Sequence, residues 1–206
     1  MKLAENIWLL EASRAKGRAP GFHCYLVRDN QGLTLIDTSL PGRGEDILAE
    51  IRELGFLPED LHRIFLTHTD MDHIGNARML QEQTSCQVYV SAEENAYLTG
   101  ERARLPQKAE MFRDFVPPKV EIYPEKLEEY QVIPAPGHTA GHVCILYQDC
   151  LFAGDCCSTE SGSVTGPRAD MTEDMEKAIQ SLQKVSLYSF GSWCPCHGMP
   201  KNHREL

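Results

Sequence analysis

The chain has 206 residues, enough to bury a substantial core, and no break in composition divides it, so one domain over 1–206 is expected. Its 20 Lys and Arg against 30 Asp and Glu leave a formal net charge of −10, which excludes non-specific binding to nucleic acid or an anionic membrane. No apolar run is long enough to span a bilayer or form a signal-peptide core; the expectation is a cytoplasmic protein whose eight cysteines are reduced thiols, most of them core residues.

Residues 7–10, 23–28 and 33–37 are apolar-rich runs separated by turn formers, which predicts an opening antiparallel meander with a hairpin turn at Asn30-Gln31-Gly32. The loop at 13–21 carries Arg14, Lys16 and Arg18, either as solvated charge or as an arm that attracts an anionic substrate. Asp37 closes the third run. A carboxylate there must be paired, by capping the next turn or by supporting a metal-bound histidine. Residues 44–54 place Ile47, Leu48, Ile51 and Leu54 at helical spacing, and Gly55 ends the helix.

The apolar run Arg63-Ile64-Phe65-Leu66 reads as a buried strand that delivers Thr67-His68-Thr69-Asp70-Met71-Asp72-His73-Ile74-Gly75 to a sheet edge. His68, Asp70 and Asp72 share a face of an extended segment, and His73 diverges as the chain turns. That geometry suits two adjacent cations, one held by 68 and 70 and the other by 72 and 73. A helix at 77–83, a strand at 87–90 and a helix at 92–98 then alternate as strands with covering helices.

From 99 to 129 the pattern loosens, with one helical piece expected around 109–115; so long a stretch reads as functional cover or a partner surface. A strand at 130–133 leads into Pro134-Ala135-Pro136-Gly137-His138-Thr139-Ala140-Gly141-His142, where Gly137 allows a tight turn beside His138. Strands at 143–147 and 150–153 form a hairpin about Gln148-Asp149, the second ending in Gly154-Asp155. A helix over 170–185 is capped by Asp170 or Thr172 and buries Met175, Ala178, Ile179 and Leu182. A last strand at 192–196 ends in His197-Gly198.

This serial pattern resembles the metallo-β-lactamase superfamily: a strand-ending Asp37, a His-x-His-x-Asp-His motif at 68–73, Gly137-His138, Gly154-Asp155 and His197-Gly198. The resemblance spans nearly the whole chain. It implies an α/β fold, a four-layer αββα sandwich with two divalent metal ions at one edge of the paired sheets. His68, Asp70 and His138 would hold the first ion and Asp72, His73 and His197 the second, with Asp155 between them. Asp37 would brace the ligands, and His142 would orient its loop without binding metal.

Two positions depart from the pattern. Asp70 stands where most members have His, which keeps zinc as the default but raises iron and manganese as alternatives; flavodiiron proteins of the same superfamily carry a carboxylate here. Cys196 stands where Gly commonly precedes the last His. Cys194 and Cys196 share a strand face and are expected to point away from His197 into the core, and Cys156 and Cys157 are likewise read as structural.

Such a site would generate hydroxide from water between two cations, with Asp72 orienting the nucleophile and relaying its proton to the leaving group. The expected activity is hydrolysis of a small, ester-like molecule, a thioester or lactone first, and an anionic one if the basic arm at 13–21 serves it. The short tail after His197 argues against glutathione thioesters, the missing signal peptide against a secreted β-lactamase, and the acidic balance against an RNA-processing nuclease. A non-haem iron redox protein of the same fold is the rival reading. The residues that contact substrate and the oligomeric state are not readable from the chain.

Overall fold

The computed structural model describes residues 1–10, 22–127 and 129–203, so the basic loop at 13–21 lies outside the described residues. Strands β1 (Lys2–Ala4), β2 (Ile7–Leu9), β3 (Tyr25–Asp29), β4 (Gly32–Ile36), β5 (Leu61–Phe65), β6 (Gln87–Val90) and β7 (Glu121–Ile122) lie side by side in chain order. Pairing is antiparallel from β1 to β4 and parallel from β4 to β7. A second sheet contains β8 (Tyr130–Pro134), β9 (Val143–Tyr147), β10 (Cys150–Ser158), β11 (Ser192–His197) and β12 (Lys201–Asn202), ordered β12-β11-β10-β9-β8. Only β10 and β11 run parallel in it.

Strand alternation builds the layers. In β3, Leu26 packs outward with Ile47, Leu48 and Ile51 of helix α1 (Gly44–Glu53), while Tyr25 and Val27 turn inward. The inward set meets Val143, Ile145 and Phe152 of the second sheet and forms the central core with Ile36 and Phe65. Beyond that sheet, Leu151 and Trp193 pack with Leu182 and Val185 near the C-terminal end of a long helix. The result is the expected helix-sheet-sheet-helix sandwich.

The remaining helices are α2 (Met71–Ile74), α3 (Ala77–Thr84), α4 (Ala92–Leu98), α5 (Pro106–Met111) and α6 (Met175–Val185), the last being that long helix. None among the described residues is long and apolar enough to cross a membrane. All eight cysteines are buried and free of disulfides.

Several elements differ from the sequence expectation, each for a local reason. β1, β7 and β12 span only two or three residues, too few to show alternation. α5 begins at Pro106 and ends at Met111 instead of spanning 109–115, because proline suits the first helical turn, where no backbone donor is required. α6 begins at Met175, capped by Asp174, which accepts from the Lys177 backbone N–H; residues 169–171 form a separate 3₁₀ turn instead. β10 runs past Asp155 to Ser158, and its register against β11 shifts on either side of Gly154.

The parallel pairs β4–β5 and β10–β11 have a common consequence. Asp37, the segment 67–73, Asp155 and His197 all lie at or near the C-terminal ends of these strands, where α/β sheets form their crevices.

Candidate metal centre

Asp37 leaves β4 in the left-handed region (φ 58°) and is 2% exposed. Its carboxylate accepts from the Thr67 N–H and hydroxyl, each at 2.8 Å, and pairs with His73 Nδ1 at 2.8 Å. Of the two roles open to it, bracing the histidine is thus the one its contacts serve. With Nδ1 carrying its proton toward Asp37, His73 keeps a bare lone pair on Nε2.

The same logic fixes two more rings. Thr67 spends its hydroxyl hydrogen on Asp37, so the oxygen accepts from His68 Nδ1 at 3.1 Å. Thr172 donates to the Arg168 carbonyl at 2.7 Å and accepts from His138 Nδ1 at 3.2 Å. His68 and His138 therefore also keep Nε2 as the lone-pair nitrogen, and in both rings it lies near Asp70.

These nitrogens converge on carboxylates. His73 Nε2 lies 3.3 Å from Asp155 Oδ1 and 3.7 Å from Asp72 Oδ2, and His197 Nε2 lies 3.4 Å from Asp72 Oδ2 and 3.3 Å from Asp155 Oδ2. On the other side, His138 Nε2 lies 3.1 Å from Asp70 Oδ2 and 3.5 Å from Asp155 Oδ2, and His68 Nε2 is 3.5 Å from Asp70 Oδ2. Donors bound at about 2.0–2.1 Å to one tetrahedral ion would stand about 3.3 Å apart, so the spacing fits. Fully buried His68 Nε2, His73 Nε2 and Asp155 Oδ1 have no hydrogen-bond partner, which a cation would supply. All seven sequence candidates are thus gathered at one edge, with Asp155 facing both halves.

The charges around the site act strongly on it. Burial pulls the His73 pKa down, but Cys196, Asp37, Asp72 and Asp155 together hold it well above the usual value. His197 is pushed up to about 12 against its burial, chiefly by Asp155 and Cys196. Burial pushes the Asp155 carboxyl up, yet His197 and His73 hold it well below the usual carboxylate range. In the absence of an ion the carboxylates thus favour a proton on His73 and His197, positive charge that a divalent cation bound at their Nε2 atoms would replace, whereas burial holds His68 well below the usual value and leaves its Nε2 bare.

His142 stands apart from the donors: its Nε2 accepts from the Asp155 backbone N–H at 3.0 Å, and burial drives its pKa down to about 3, so it acts as a neutral acceptor holding that backbone. Cys196 needs a correction. It is buried as expected, but its thiol lies with donor atoms of Asp72, His73 and His197, all within 4.8 Å of one another. His197 is the last residue of β11, so the donor set lies over the strand's end, where alternation no longer separates its faces, and the 18% exposed His197 lines the cleft. Cys194 does pack in the core between the sheets.

Other contributors escape the sequence reading. Glu94 of α4 is fully buried and accepts from the Thr69 N–H and hydroxyl, the Thr139 hydroxyl and the Gly141 N–H, binding the 67–70 segment to the 138–142 turn. Its spacing from Ser91 looks like a helix-start pattern, and Ser91 does accept from the Glu94 N–H, but the carboxylate serves the site. Lys108 and Arg104 come from the irregular stretch and reach Asp70, Lys108 as a close ion pair and Arg104 Nη1 at 3.5 Å. A cleft of about 270 Å³ opens over the donors, with Phe22, Leu40 and Met111 among its walls.

Comparisons with known proteins identify the family and the fold. The sequence model of the metallo-beta-lactamase superfamily matches residues 22–188. The chain is 30% identical over 161 residues to BaeB, a probable polyketide biosynthesis zinc-dependent hydrolase of Bacillus velezensis, covering 78% of this chain and 66% of that one. A metallo-beta-lactamase family protein of Thermus thermophilus superposes with TM-score 0.75 at 20% identity, over 99% of this chain and 77% of its own. TTHA1623, crystallised in a di-iron-bound form, gives TM-score 0.69 at 25% identity, over 91% and 92%.

Proposed function

The chain belongs to the metallo-β-lactamase superfamily, and from that premise we propose that it is a metal-dependent hydrolase of a small ester-like substrate, a thioester or lactone first. The observation that carries the reading is the set of bare, buried Nε2 and carboxylate atoms turned toward one another beneath an open cleft. Asp72, His73, Asp155 and His197 would hold a divalent ion, with zinc favoured by nitrogen and oxygen donors at tetrahedral spacing. His68, Asp70 and His138 make a second donor set, into which Lys108 reaches.

A divalent ion supplies such a site with a lowered water pKa and with charge to meet a developing oxyanion. The chain supplies the rest. Asp72 lines the cleft, where its carboxylate can orient the nucleophile, accept its proton and return it to the leaving group. A proton relayed by a carboxylate suits leaving groups of low basicity, such as the thiolate of a thioester. Phe22, Leu40 and Met111 give the cleft an apolar wall that excludes water and accepts an acyl chain, and its volume fits a small molecule.

Asp70 favours one other reading, iron-based redox chemistry, because a carboxylate hardens the donor set. Its engagement by Lys108 and Arg104 weighs against that reading. The test is a panel of thioesters, lactones and phosphodiesters assayed on zinc-loaded protein beside an Asp155→Ala control. Turnover of a thioester or lactone, lost in the control, is the expected result. Purification with iron and a visible absorption band, and no hydrolysis of any member, would replace the proposal with the redox reading.

A further inference from the structure

Lys108 is 2% exposed, and a buried ammonium persists only when its charge and its N–H donors are met. Both needs are met inside the first donor set: Nζ forms a close ion pair with Asp70 Oδ2 and lies 3.3 Å from His138 Nε2. Because His138 Nδ1 is committed to Thr172, its Nε2 is the acceptor for a Lys108 N–H. A lone pair used that way cannot also coordinate an ion.

We infer that the Lys108 ammonium is the resident cation of the His68–Asp70–His138 half, so that the protein takes one divalent ion, in the Asp72–His73–Asp155–His197 half. The inference rests on the metal-hydrolase reading and deepens it. It also explains the departure at Asp70: a carboxylate pairs with an ammonium, whereas an imidazole there would remove the carboxylate with which Lys108 forms its ion pair among the described residues. Arg104 adds a second positive charge beside Asp70, with Nη1 at 3.5 Å from Asp70 Oδ1 and Nη2 donating to Thr69 at 2.8 Å.

The lysine is delivered by an anchored element. Gln107, its neighbour on α5, donates to the Asp170 carbonyl at 2.7 Å, and the Arg104 guanidinium lies over the Phe112 ring at 3.9 Å and the Tyr97 ring at 4.9 Å. The two halves differ accordingly. Among the described residues no Lys or Arg ion pair reaches Asp72 or Asp155, where His73 Nε2 and Asp155 Oδ1 still lack partners. In the Lys108 half His68, His138 and Asp155 bring donor atoms within 4.8 Å of one another, but an ion there would have to take the His138 lone pair from Lys108 and stand beside its ammonium.

Metal content is the test, read by elemental analysis after zinc loading and by anomalous scattering from zinc-grown crystals. Wild-type protein is expected to hold one equivalent, located among Asp72, His73, Asp155 and His197. The Asp70→His/Lys108→Gln double variant, checked for folding by circular dichroism, is expected to rise to two. Two equivalents in wild type, or a single ion among His68, Asp70 and His138, would overturn the inference, as would a folded double variant that stays at one. No bound metal in any form is a different failure, that of the metal-hydrolase reading itself.

Discussion

Glu94→Gln is the perturbation that best probes how the donor loops are held. In the native protein each carboxylate oxygen serves two donors: Oε2 takes the Thr69 N–H at 2.7 Å and hydroxyl at 2.6 Å, and Oε1 takes the Thr139 hydroxyl at 2.5 Å and the Gly141 N–H at 3.2 Å. The amide of glutamine keeps one such oxygen and turns the other into a donor that faces two donors. One backbone N–H and one hydroxyl then lose their acceptor in a fully buried place, at about 1–3 kcal/mol each, less whatever the hydroxyl recovers by rotating. A loss of about 2–4 kcal/mol follows, or a fall in Tm on the order of 10 °C for a chain of this size. Thermal and urea unfolding in the presence of a chelator would measure it without interference from metal. Adding Thr139→Val removes one competing donor, so the double variant is expected to be no less stable than Glu94→Gln alone. A single variant that melts within about 1 °C of wild type would refute the claim that this carboxylate fastens the two loops.

Asp37→Asn removes the charged partner of His73 Nδ1 and is expected to weaken zinc binding about 10–100-fold by calorimetry; unchanged affinity would show that the ring is oriented by other groups. Chelation should lower Tm by about 5–11 °C when free zinc had been held near 100 times Kd, since that excess contributes about 2.7 kcal/mol, and His197→Ala should respond much less. A third expectation lies away from the metal. Burial raises the Asp29 pKa, but bonds from Thr34, Tyr130 and the Gln31 N–H, with the charge of Arg63, hold it below the ordinary value. A depressed carboxylate stabilises the fold above its unfolded pKa, about 3.9, and loses that effect as pH falls through its folded value. Asp29→Asn should therefore be less stable at pH 7 and show a shallower acid limb in chemical denaturation; identical acid limbs would refute the assignment.

What the sequence makes legible is what depends on neighbours in the chain. The meander, the strand at 87–90, the helix at 92–98 and the alternation that sorts Leu26 from Tyr25 all follow from local periodicity, and their observed places match it. The histidines and aspartates at strand ends carry their own spacing, and the edge where they meet follows from the parallel pairs. Cap positions are less legible: Asp174 outcompetes Asp170 and Thr172 at the start of α6 because its side chain reaches the Lys177 N–H, while Thr172 is drawn to His138. Cys196 shows the limit of strand alternation, which sorts faces along β11 but not over its end.

The groups that the sequence conceals share one property: their partners are distant in the chain and their meaning is set by burial. Glu94 reads as a first-turn acid of a short helix, a common place for a solvated carboxylate, until the 138–142 turn closes over it. Lys108 reads as one charge among many in a stretch without period, and it stands 30 residues before His138, the ring whose lone pair it meets. Asp70, viewed alone, is a metal ligand of altered hardness; viewed with Lys108 and Arg104 it is the counter-ion of two buried bases. The same substitution thus supports opposite conclusions about the metal according to whether the cover at 104–108 is seen, and that makes the count of bound ions the measurement on which the chemistry of the cleft turns.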